Sequence, residues 1–209
     1  MEITLSVTIL FHNLLSTDLD PEASLSRAHC VDVCFYNRTC ASVFYDSILE
    51  LCYQSDLWFD ETVENLVAKQ GVSHIAFSRS DCPSQWIYHK PSSKCFRLNT
   101  KSRSYTVATS ECKAEGGRLF NIYSAMEDQL VITLVIRAGT GMWIGLKKVD
   151  GVFQWHKGTS KSYTNWYSGS SGTCVLMHGA YLQWFKYGCN TQRPSVCERV
   201  LNKQNLCTI

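Results

Sequence analysis

The sequence predicts an α+β protein built from two small, disulfide-rich modules. Eleven of the 209 residues are Cys, a density typical of small proteins from oxidising compartments. Residues 1–81 hold four Lys/Arg against twelve Asp/Glu, whereas residues 82–209 hold sixteen against six. This split indicates two separately built units, which either attract each other or are unrelated modules in one chain. In the second half, two helical patterns precede several short strand patterns, which is an α+β order.

The first residues allow two interpretations. Apolar residues from Ile3 to Phe11 alternate with Thr4, Ser6 and Thr8, which is the period of a half-buried strand. The same run could be the core of a secretion signal, although it follows Glu2 and no typical cleavage site comes after it. The sequence leaves residues 1–15 open between these two.

Residues 1–80 form the predicted first domain. After Pro21 and Ser24, the spacing predicts a short amphipathic helix whose apolar positions are Leu25, Ala28, Val31 and Phe35. Strand-like runs follow at residues 41–45, 51–53 and 72–77. Four cysteines lie on the helix and beside or within the strands: Cys30, Cys34, Cys40 and Cys52. They predict disulfides between helix and sheet; the alternative, a zinc site, fits their spacing poorly.

The run Ser24-Leu25, Cys30, Cys34, Cys40, Phe44-Tyr45 and Cys52 resembles the PAN/apple module of extracellular proteins. That resemblance implies the disulfides Cys30–Cys52 and Cys34–Cys40. No earlier cysteine supplies the end-to-end bridge of the apple subtype, so the resemblance is to the shorter PAN form.

Asn37-Arg38-Thr39 is the only Asn-x-Ser/Thr sequence in the chain. It falls in a polar turn just after the predicted helix, where a glycan would not bury polar surface. We therefore expect glycosylation at Asn37.

The predicted second domain spans residues 82–200. A helix through Val107, Ala108, Glu111 and Cys112 ends at Gly116-Gly117. A second helix starts at Ser124, with Glu127 three residues on, and ends at Gly139 and Gly141. Strands are then predicted at residues 142–146, 152–155, 174–177, 181–185 and 195–199.

An ordered set of residues in this domain strongly resembles the C-type lectin-like domain. It comprises Ala108, Cys112, Gly116-Gly117, Leu119, Trp143-Ile144-Gly145-Leu146, Phe153, Trp155, Asn165-Trp166, Cys174-Val175, Trp184, Cys189 and Val196-Cys197-Glu198. The resemblance implies two helices, short antiparallel strands and a long loop. It also implies the disulfides Cys112–Cys197, Cys174–Cys189 and, at the N-terminal hairpin, Cys82–Cys95. We expect Trp143 and Trp155 in the core, and leave Trp166 and Trp184 open between core and ligand contact.

One cysteine has no partner in this scheme. Cys207 lies in the predicted tail, residues 201–209. It is a candidate either for an interchain disulfide that links a dimer or for a free thiol.

Sugar-binding members of the family hold Ca²⁺ through a Glu-Pro-Asn or Gln-Pro-Asp triplet and an Asn-Asp pair after a tryptophan. Here residues 168–173 contain neither carboxylate nor proline, and Phe185 and Lys186 follow Trp184. No Asp or Glu occurs between Gly151 and Cys197. Because Ca²⁺ prefers carboxylate oxygens and this stretch is net positive, we expect no metal there.

The same stretch combines positive charge with aromatic rings, which suits anionic glycans or acidic protein patches. The predicted ligand contacts are Trp166, Tyr167, Gln183, Lys186 and Tyr187, with Arg193 and Lys161 as weaker candidates. The alternative is that these are ordinary solvated charges and half-buried rings.

No arrangement of residues indicates an enzyme or a cofactor site. The six histidines are scattered and form no His-Glu-x-x-His motif, and no nucleophile elbow or nucleotide-binding loop is present. We find no nucleic-acid reader motif and no apolar run long enough to span a membrane. The sequence therefore predicts a secreted recognition protein, with calcium-independent carbohydrate binding as the leading function and a protein-interaction module as the alternative.

Overall fold

A computed structural model describes residues 5–57, 66–156 and 163–201. These residues form two compact units. One comprises the described residues up to Ser93 together with Leu201, and the other comprises Lys94–Val200. The sequence-based domain limits at residues 80 and 82 stay a prediction. Within the described ranges, no helix has the length and apolar character needed to cross a membrane.

The first unit is a helix packed on an antiparallel sheet. Its described elements are β1 (Leu5–Ser16), β2 (Pro21–Ala23), α1 (Arg27–Tyr36), β3 (Ser42–Asp46), β4 (Leu51–Ser55), β5 (Leu66–Arg79) and β6 (Ile87–His89). Strands β1 to β5 pair in the order β1-β5-β3-β4-β2. A core cluster of Leu15, Phe44, Tyr53 and Val72 lies within this sheet.

Helix α1 begins later than the sequence predicts. Ser26 is its N-cap, because the Ser26 hydroxyl accepts a hydrogen bond from the backbone N–H of His29. Leu25, predicted to lie on the apolar face, is outside the helix and 87% exposed. The buried face consists of Cys30 and Cys34, so sulfur rather than a stripe of aliphatic side chains attaches this helix to the sheet.

Disulfides account for the four cysteines on and around helix α1 and strands β3 and β4. Cys30 is bonded to Cys52 and Cys34 to Cys40, which are the pairs that the PAN/apple resemblance implies. Since these thiols are consumed, the zinc alternative for the four residues is wrong.

Strand β1 forms where the alternating N-terminal pattern predicts a strand, but apolar side chains in its first half are exposed. Val7 is 48% exposed and Ile9 is 38% exposed. The reason is that β1 is an edge strand, paired on one side only with β5. Burial begins at Leu15 and Ser16, where β1 reaches the core cluster.

The second unit contains two helices and a larger sheet. Its described elements are β7 (Lys94–Arg103), α2 (Tyr105–Ala114), β8 (Arg118–Leu119), α3 (Ala125–Ala138), β9 (Met142–Val149), β10 (Val152–Trp155), β11 (Cys174–Met177), β12 (Trp184–Tyr187) and β13 (Arg193–Val200). The strand order is β12-β11-β9-β13-β7, with β10 on β9 and β8 on β13. One pair, β9 with β13, is parallel, unlike the antiparallel strands expected. Strands β7 and β8 were not predicted.

Helix α3 follows its predicted signals closely. The hydroxyl of Ser124 caps it by accepting from Glu127 N–H, and Gly139 ends it in the left-handed conformation with φ 61°. The Glu127 carboxylate accepts from the backbone of Tyr123, one residue before the position expected for a capping box.

The core of this unit is rich in aromatic side chains. Trp143 and Trp155 are both buried, as predicted.

The ammonium of Lys94 is buried as well, and lies 2.7 Å from a carboxylate oxygen of Glu127 and 2.7 Å from one of Glu198. The shared cation offsets the cost of burying two carboxylates close together.

Disulfides bond Cys112 to Cys197 and Cys174 to Cys189. Helix α2 is thereby joined to β13, and β11 to the segment that follows β12. Cys82 and Cys95 each take part in a disulfide, and their pairing with each other stays a prediction. Cys207 lies outside the described residues.

Candidate functional site

The candidate site is the surface formed by residues 163–173 and the hairpin of β11 and β12. The backbone of Tyr167 donates to Trp184 O at 3.0 Å, and that of Trp184 donates to Asn165 O at 2.7 Å. These bonds extend the sheet beyond β12 with a short parallel bridge at Trp166. The loop is therefore fixed to a sheet edge, which gives its side chains defined positions.

Trp184 belongs to the core and not to the ligand surface. It is 1% exposed and makes edge-to-face contacts with Trp155, Trp166 and Tyr163, at centroid distances of 5.2, 5.6 and 5.9 Å. The open choice between core and ligand contact is settled for Trp184 by this burial. Trp166 is only half-buried.

Asp128, which sequence reasoning did not single out, anchors this region from helix α3. Its carboxylate accepts hydrogen bonds from Trp184 Nε1 at 2.6 Å, Asn165 Nδ2 at 2.7 Å and the Tyr163 hydroxyl at 2.9 Å. Burial raises the pKa of Asp128 above its ordinary 3.8, although these three bonds act to lower it. Both carboxylate oxygens are therefore directed at protein donors rather than at a metal.

Lys186 and Trp166, both predicted ligand contacts, lie together. The Lys186 ammonium is 5.3 Å from the centroid of the Trp166 ring and 5.7 Å from that of Phe153, within cation–π range. No carboxylate of the described residues forms an ion pair with it. The charge is therefore held over two rings, and no acidic group in the described part of the chain compensates it.

Tyr167 is part of a second group of rings. It stacks on Phe185 with centroids 4.1 Å apart, and Tyr181 lies 5.0 Å from Tyr167. His178 adds a fourth ring 4.3 Å from Phe185. We call Tyr167, His178, Tyr181 and Phe185 the aromatic cluster. Tyr181 is 55% exposed, so the cluster presents an aromatic face to solvent.

The β11–β12 turn differs from the predicted strand at residues 181–185. His178 N–H donates to Gln183 O, Leu182 N–H donates to His178 O, and Leu182 has a φ of 53°. These features make a turn, so β12 starts only at Trp184. Gln183 is half-buried at the end of this turn. Its backbone carbonyl oxygen accepts the hydrogen bond from His178.

The remaining predicted contacts are dispersed. Tyr187 is half-buried at the end of β12, where Gly172 approaches so closely that a Cβ at residue 172 would clash with the Tyr187 carbonyl. Arg193 lines a cavity of about 460 Å³ at the end of α3 instead, together with His178 and Leu176. Lys161 lies outside the described residues.

No acidic side chain lies in the described loop and hairpin, residues 163–187. Across the described ranges, no group of three or more His, Cys, Asp or Glu is arranged to hold a metal ion. Among the donors that this surface offers are the ammonium of Lys186, tyrosine, serine and threonine hydroxyls, and the amide of Gln183. These donors are suited to bind oxygen atoms of a ligand directly by hydrogen bonds.

Comparisons with known proteins agree with this geometry. The family described as "Lectin C-type domain" matches residues 101–199. One chain of the snaclec coagulation factor IX/factor X-binding protein of Gloydius halys is 32% identical over 131 residues, which cover 57% of the present sequence and 85% of that chain. Human C-type mannose receptor 2 is 29% identical over 114 residues, 50% of the present sequence but only 8% of the receptor.

Solved structures of the same fold also match. A calcium-independent type II antifreeze protein is 26% identical, with a TM-score of 0.51 over 57% of this chain and 94% of that one. The cow C-type carbohydrate-recognition domain of CD23, solved in the presence of an oligosaccharide, is 30% identical, with a TM-score of 0.51 over 58% and 97% of the two chains. Each likeness spans about half of this chain. The PAN-like module stays a prediction.

Proposed function

Since this chain belongs to the C-type lectin domain family, we propose that it is an extracellular recognition protein whose lectin-like domain binds its ligand without calcium. The leading ligand class is carbohydrate that carries sulfate or carboxylate groups. The contacts are Trp166, Tyr167, Gln183, Lys186 and Tyr187.

The observation that carries the proposal is the state of Lys186. Its ammonium lies over Trp166 and Phe153 and has no acidic partner among the described residues. A sulfate or carboxylate would supply the missing counter-charge and accept a charge-assisted hydrogen bond. The neighbouring rings hold the long side chain in place, which lowers the entropy lost when a ligand binds.

The aromatic cluster supports carbohydrate as the ligand class. Tyr167 and Tyr181 offer ring faces on the loop and hairpin that also carry Lys186, and sugars combine apolar C–H faces with hydroxyl edges. Aromatic ring faces suit the C–H faces of a sugar, and tyrosine hydroxyls suit its hydroxyl groups. Calcium coordination of sugar hydroxyls would need carboxylates that residues 163–187 do not contain.

A protein ligand is the second candidate. The snaclec relative at 32% identity is named for binding coagulation factors IX and X, and an aromatic surface with one unpaired lysine also fits an acidic protein patch. In this alternative the domain has lost sugar recognition and Lys186 pairs with an Asp or Glu of the partner.

The first unit is a PAN-like binding module in this proposal. A helix joined to a sheet by Cys30–Cys52 and a short Cys34–Cys40 loop support it. The abundance of disulfides supports an extracellular location. Cys207 remains the candidate for a disulfide-linked dimer. Neither catalysis nor nucleic-acid binding is part of the proposal.

Binding to immobilised heparin, with desulfated heparin as the matched control, tests the leading function. We expect retention on heparin only, unchanged by chelator and weakened as salt rises. Lys186→Met should elute at lower salt, whereas Lys113→Met, on the exposed face of α2, should elute as the wild type does. Retention on both matrices, or on neither, would contradict anionic carbohydrate as the ligand; failure on a wider glycan array as well would favour the protein partner.

A further inference from the structure

The turn after helix α1 presents a chemical site that ligand recognition does not use. We propose that Asn37 carries an N-linked glycan and that its first N-acetylglucosamine packs against the ring of Tyr36. This requires passage through the secretory pathway, which the proposed extracellular function also requires. It depends on no residue of the lectin-like domain.

Asn37, Arg38 and Thr39 are all exposed in the folded protein. The Asn37 side-chain oxygen accepts from Thr39 Oγ1 at 2.9 Å and from the Thr39 backbone N–H at 3.1 Å. The hydroxyl that defines the acceptor sequence is thus already beside the carboxamide. An attached glycan would lie in solvent and displace no core side chain.

The hydrogen bonds of Asn37 are compatible with the modification. Asn37 Nδ2 donates to Gln54 Oε1 at 3.1 Å, which uses one of its two protons. Glycosyl transfer replaces one N–H and leaves the other as a donor for Gln54. The oxygen, which accepts from Thr39, is unaffected.

Glycosylation of Asn37 needs one co-reactant, the glycan donor. The donor is an oligosaccharide linked through diphosphate to a polyprenyl lipid. Nδ2 of Asn37 forms a bond to C1 of the first sugar, the bond from C1 to the phosphate oxygen breaks, and the lipid diphosphate leaves. The displaced Nδ2 proton is taken up by base, and no oxidation or reduction occurs.

The attachment point is rigid. The Cys34–Cys40 disulfide closes the turn, and the backbone N–H of Asn37 donates to Val33 O. The ammonium of Lys90 donates to Cys34 O, Asn37 O and Cys40 O at 3.0, 2.7 and 3.1 Å. A glycan on Asn37 therefore starts from one fixed position and direction.

Tyr36 supplies the surface for the first sugar. It immediately precedes Asn37 and is 80% exposed, which is unusual for a large aromatic ring. Phe35 contacts it edge-to-face with centroids 5.1 Å apart, so one side of the ring is supported and the rest is open. Covering the open ring with the apolar face of a sugar would remove apolar area from water.

The test is secretion of the full chain from animal cells behind an added signal, under conditions that keep the glycans high-mannose. Treatment with an amidase that removes N-glycans should change the mass of wild type and of Thr39→Ser, and should leave Thr39→Val and Asn37→Gln unchanged. An unmodified Asn37 in the secreted wild type would overturn the modification. A failure of heparin binding would not affect this result.

The packing on Tyr36 has its own readout. Trimming with an endoglycosidase that leaves one N-acetylglucosamine should keep the melting temperature, whereas complete removal should lower it by about 3 °C. Because the amidase also converts Asn37 to Asp, which loses the hydrogen bond to Gln54, Tyr36→Ser should keep only the smaller part of the difference that this conversion causes. An equal difference in both proteins, or no difference in the wild type, would overturn the contact between sugar and ring.

Discussion

The indole Nε1 of Trp184 donates a 2.6 Å hydrogen bond to Oδ1 of Asp128, a residue 56 positions earlier in the chain. The other oxygen, Oδ2, accepts hydrogen bonds from Asn165 Nδ2 and from the Tyr163 hydroxyl. One buried carboxylate therefore joins helix α3, strand β12 and the loop that carries Trp166. Through this contact the position of the proposed binding surface depends on a residue beneath it.

Asp128→Ala should lower the free energy of unfolding by about 2–4 kcal/mol. Three donors lose their acceptor, and the indole N–H of Trp184 is too deeply buried to find water instead. Chemical unfolding monitored by circular dichroism measures the loss. The matched control is Asp32→Ala on the exposed face of helix α1, which should change the value by less than about 0.5 kcal/mol. Equal effects of the two substitutions would contradict the anchoring role.

Lys94→Met should be at least as destabilising, by about 3–5 kcal/mol, because it leaves the buried carboxylates of Glu127 and Glu198 facing each other without the shared cation. Methionine retains most of the volume, so the effect is electrostatic. Lys148→Met, at an exposed position of β9, is the control for the substitution itself. Retention of wild-type stability by Lys94→Met would show that Arg118, which also pairs with Glu198, suffices alone.

Local signals explain which parts of the fold the sequence predicts. Ser124 and Gly139 fix the ends of α3 through backbone chemistry that lies within a few residues. The strand at residues 174–177 is likewise found at its predicted bounds. Leu25, by contrast, has an apolar side chain at helical spacing but precedes the N-cap, and only the hydrogen bond from His29 to Ser26 decides between the two starts.

Long-range contacts explain what the sequence does not predict. Asp128 has the appearance of an ordinary acidic residue in the first turn of a helix, and nothing local indicates that Trp184 donates to it. The exposure of Val7 and Ile9 depends on β1 being at a sheet edge, which is decided by the order of five strands. Of the predicted ligand contacts, the structure brings Lys186 and Trp166 together because the loop bonds to the edge of β12.

His74 should make the first unit sensitive to acid. Burial lowers the pKa of His74 to about 3, against about 6.5 in an unfolded chain. As the pH falls from 6.5 toward 3, the unfolded chain binds a proton that the folded chain does not, so the free energy of unfolding falls by up to about 1.4 kcal/mol per pH unit. Unfolding titrations between pH 7 and pH 4 measure this slope.

His74→Leu should reduce that slope. Phe44→Leu removes the ring packed 4.5 Å from His74, and should lower stability while retaining the slope. If wild type and His74→Leu showed the same pH dependence, another group would have to be responsible.

Calcium should not stabilise the lectin-like domain. Residues 163–187 contain no carboxylate, and Asp128 directs its oxygens to three protein donors. Melting temperatures in millimolar Ca²⁺ and in excess chelator should therefore agree within error. A rise with Ca²⁺ that the chelator reverses would refute calcium-independent binding. The variant Lys186→Asp, which adds a carboxylate to this surface, serves as a comparison for any weak effect.

The two disulfides of the second unit should differ in their contribution to stability because they close loops of different length. Cys112–Cys197 spans a separation of 85 residues and Cys174–Cys189 one of 15. On the loop-entropy relation, these correspond to about 4.6 and about 3.0 kcal/mol of stabilisation. Replacing each pair by serines and measuring unfolding in denaturant should therefore give the larger loss for Cys112/Cys197.

The same two variants should also differ in how much heparin retention they lose relative to their loss of stability. The longer bridge joins α2 to β13 in the core, whereas the shorter one tethers β11 to the segment after β12, beside the proposed binding surface. Retention should consequently fall more for the Cys174/Cys189 variant than its loss of stability would suggest.

A larger loss of stability for Cys174/Cys189 than for Cys112/Cys197 would mean that residual structure in the unfolded chain, and not loop closure, governs the contribution of these bridges.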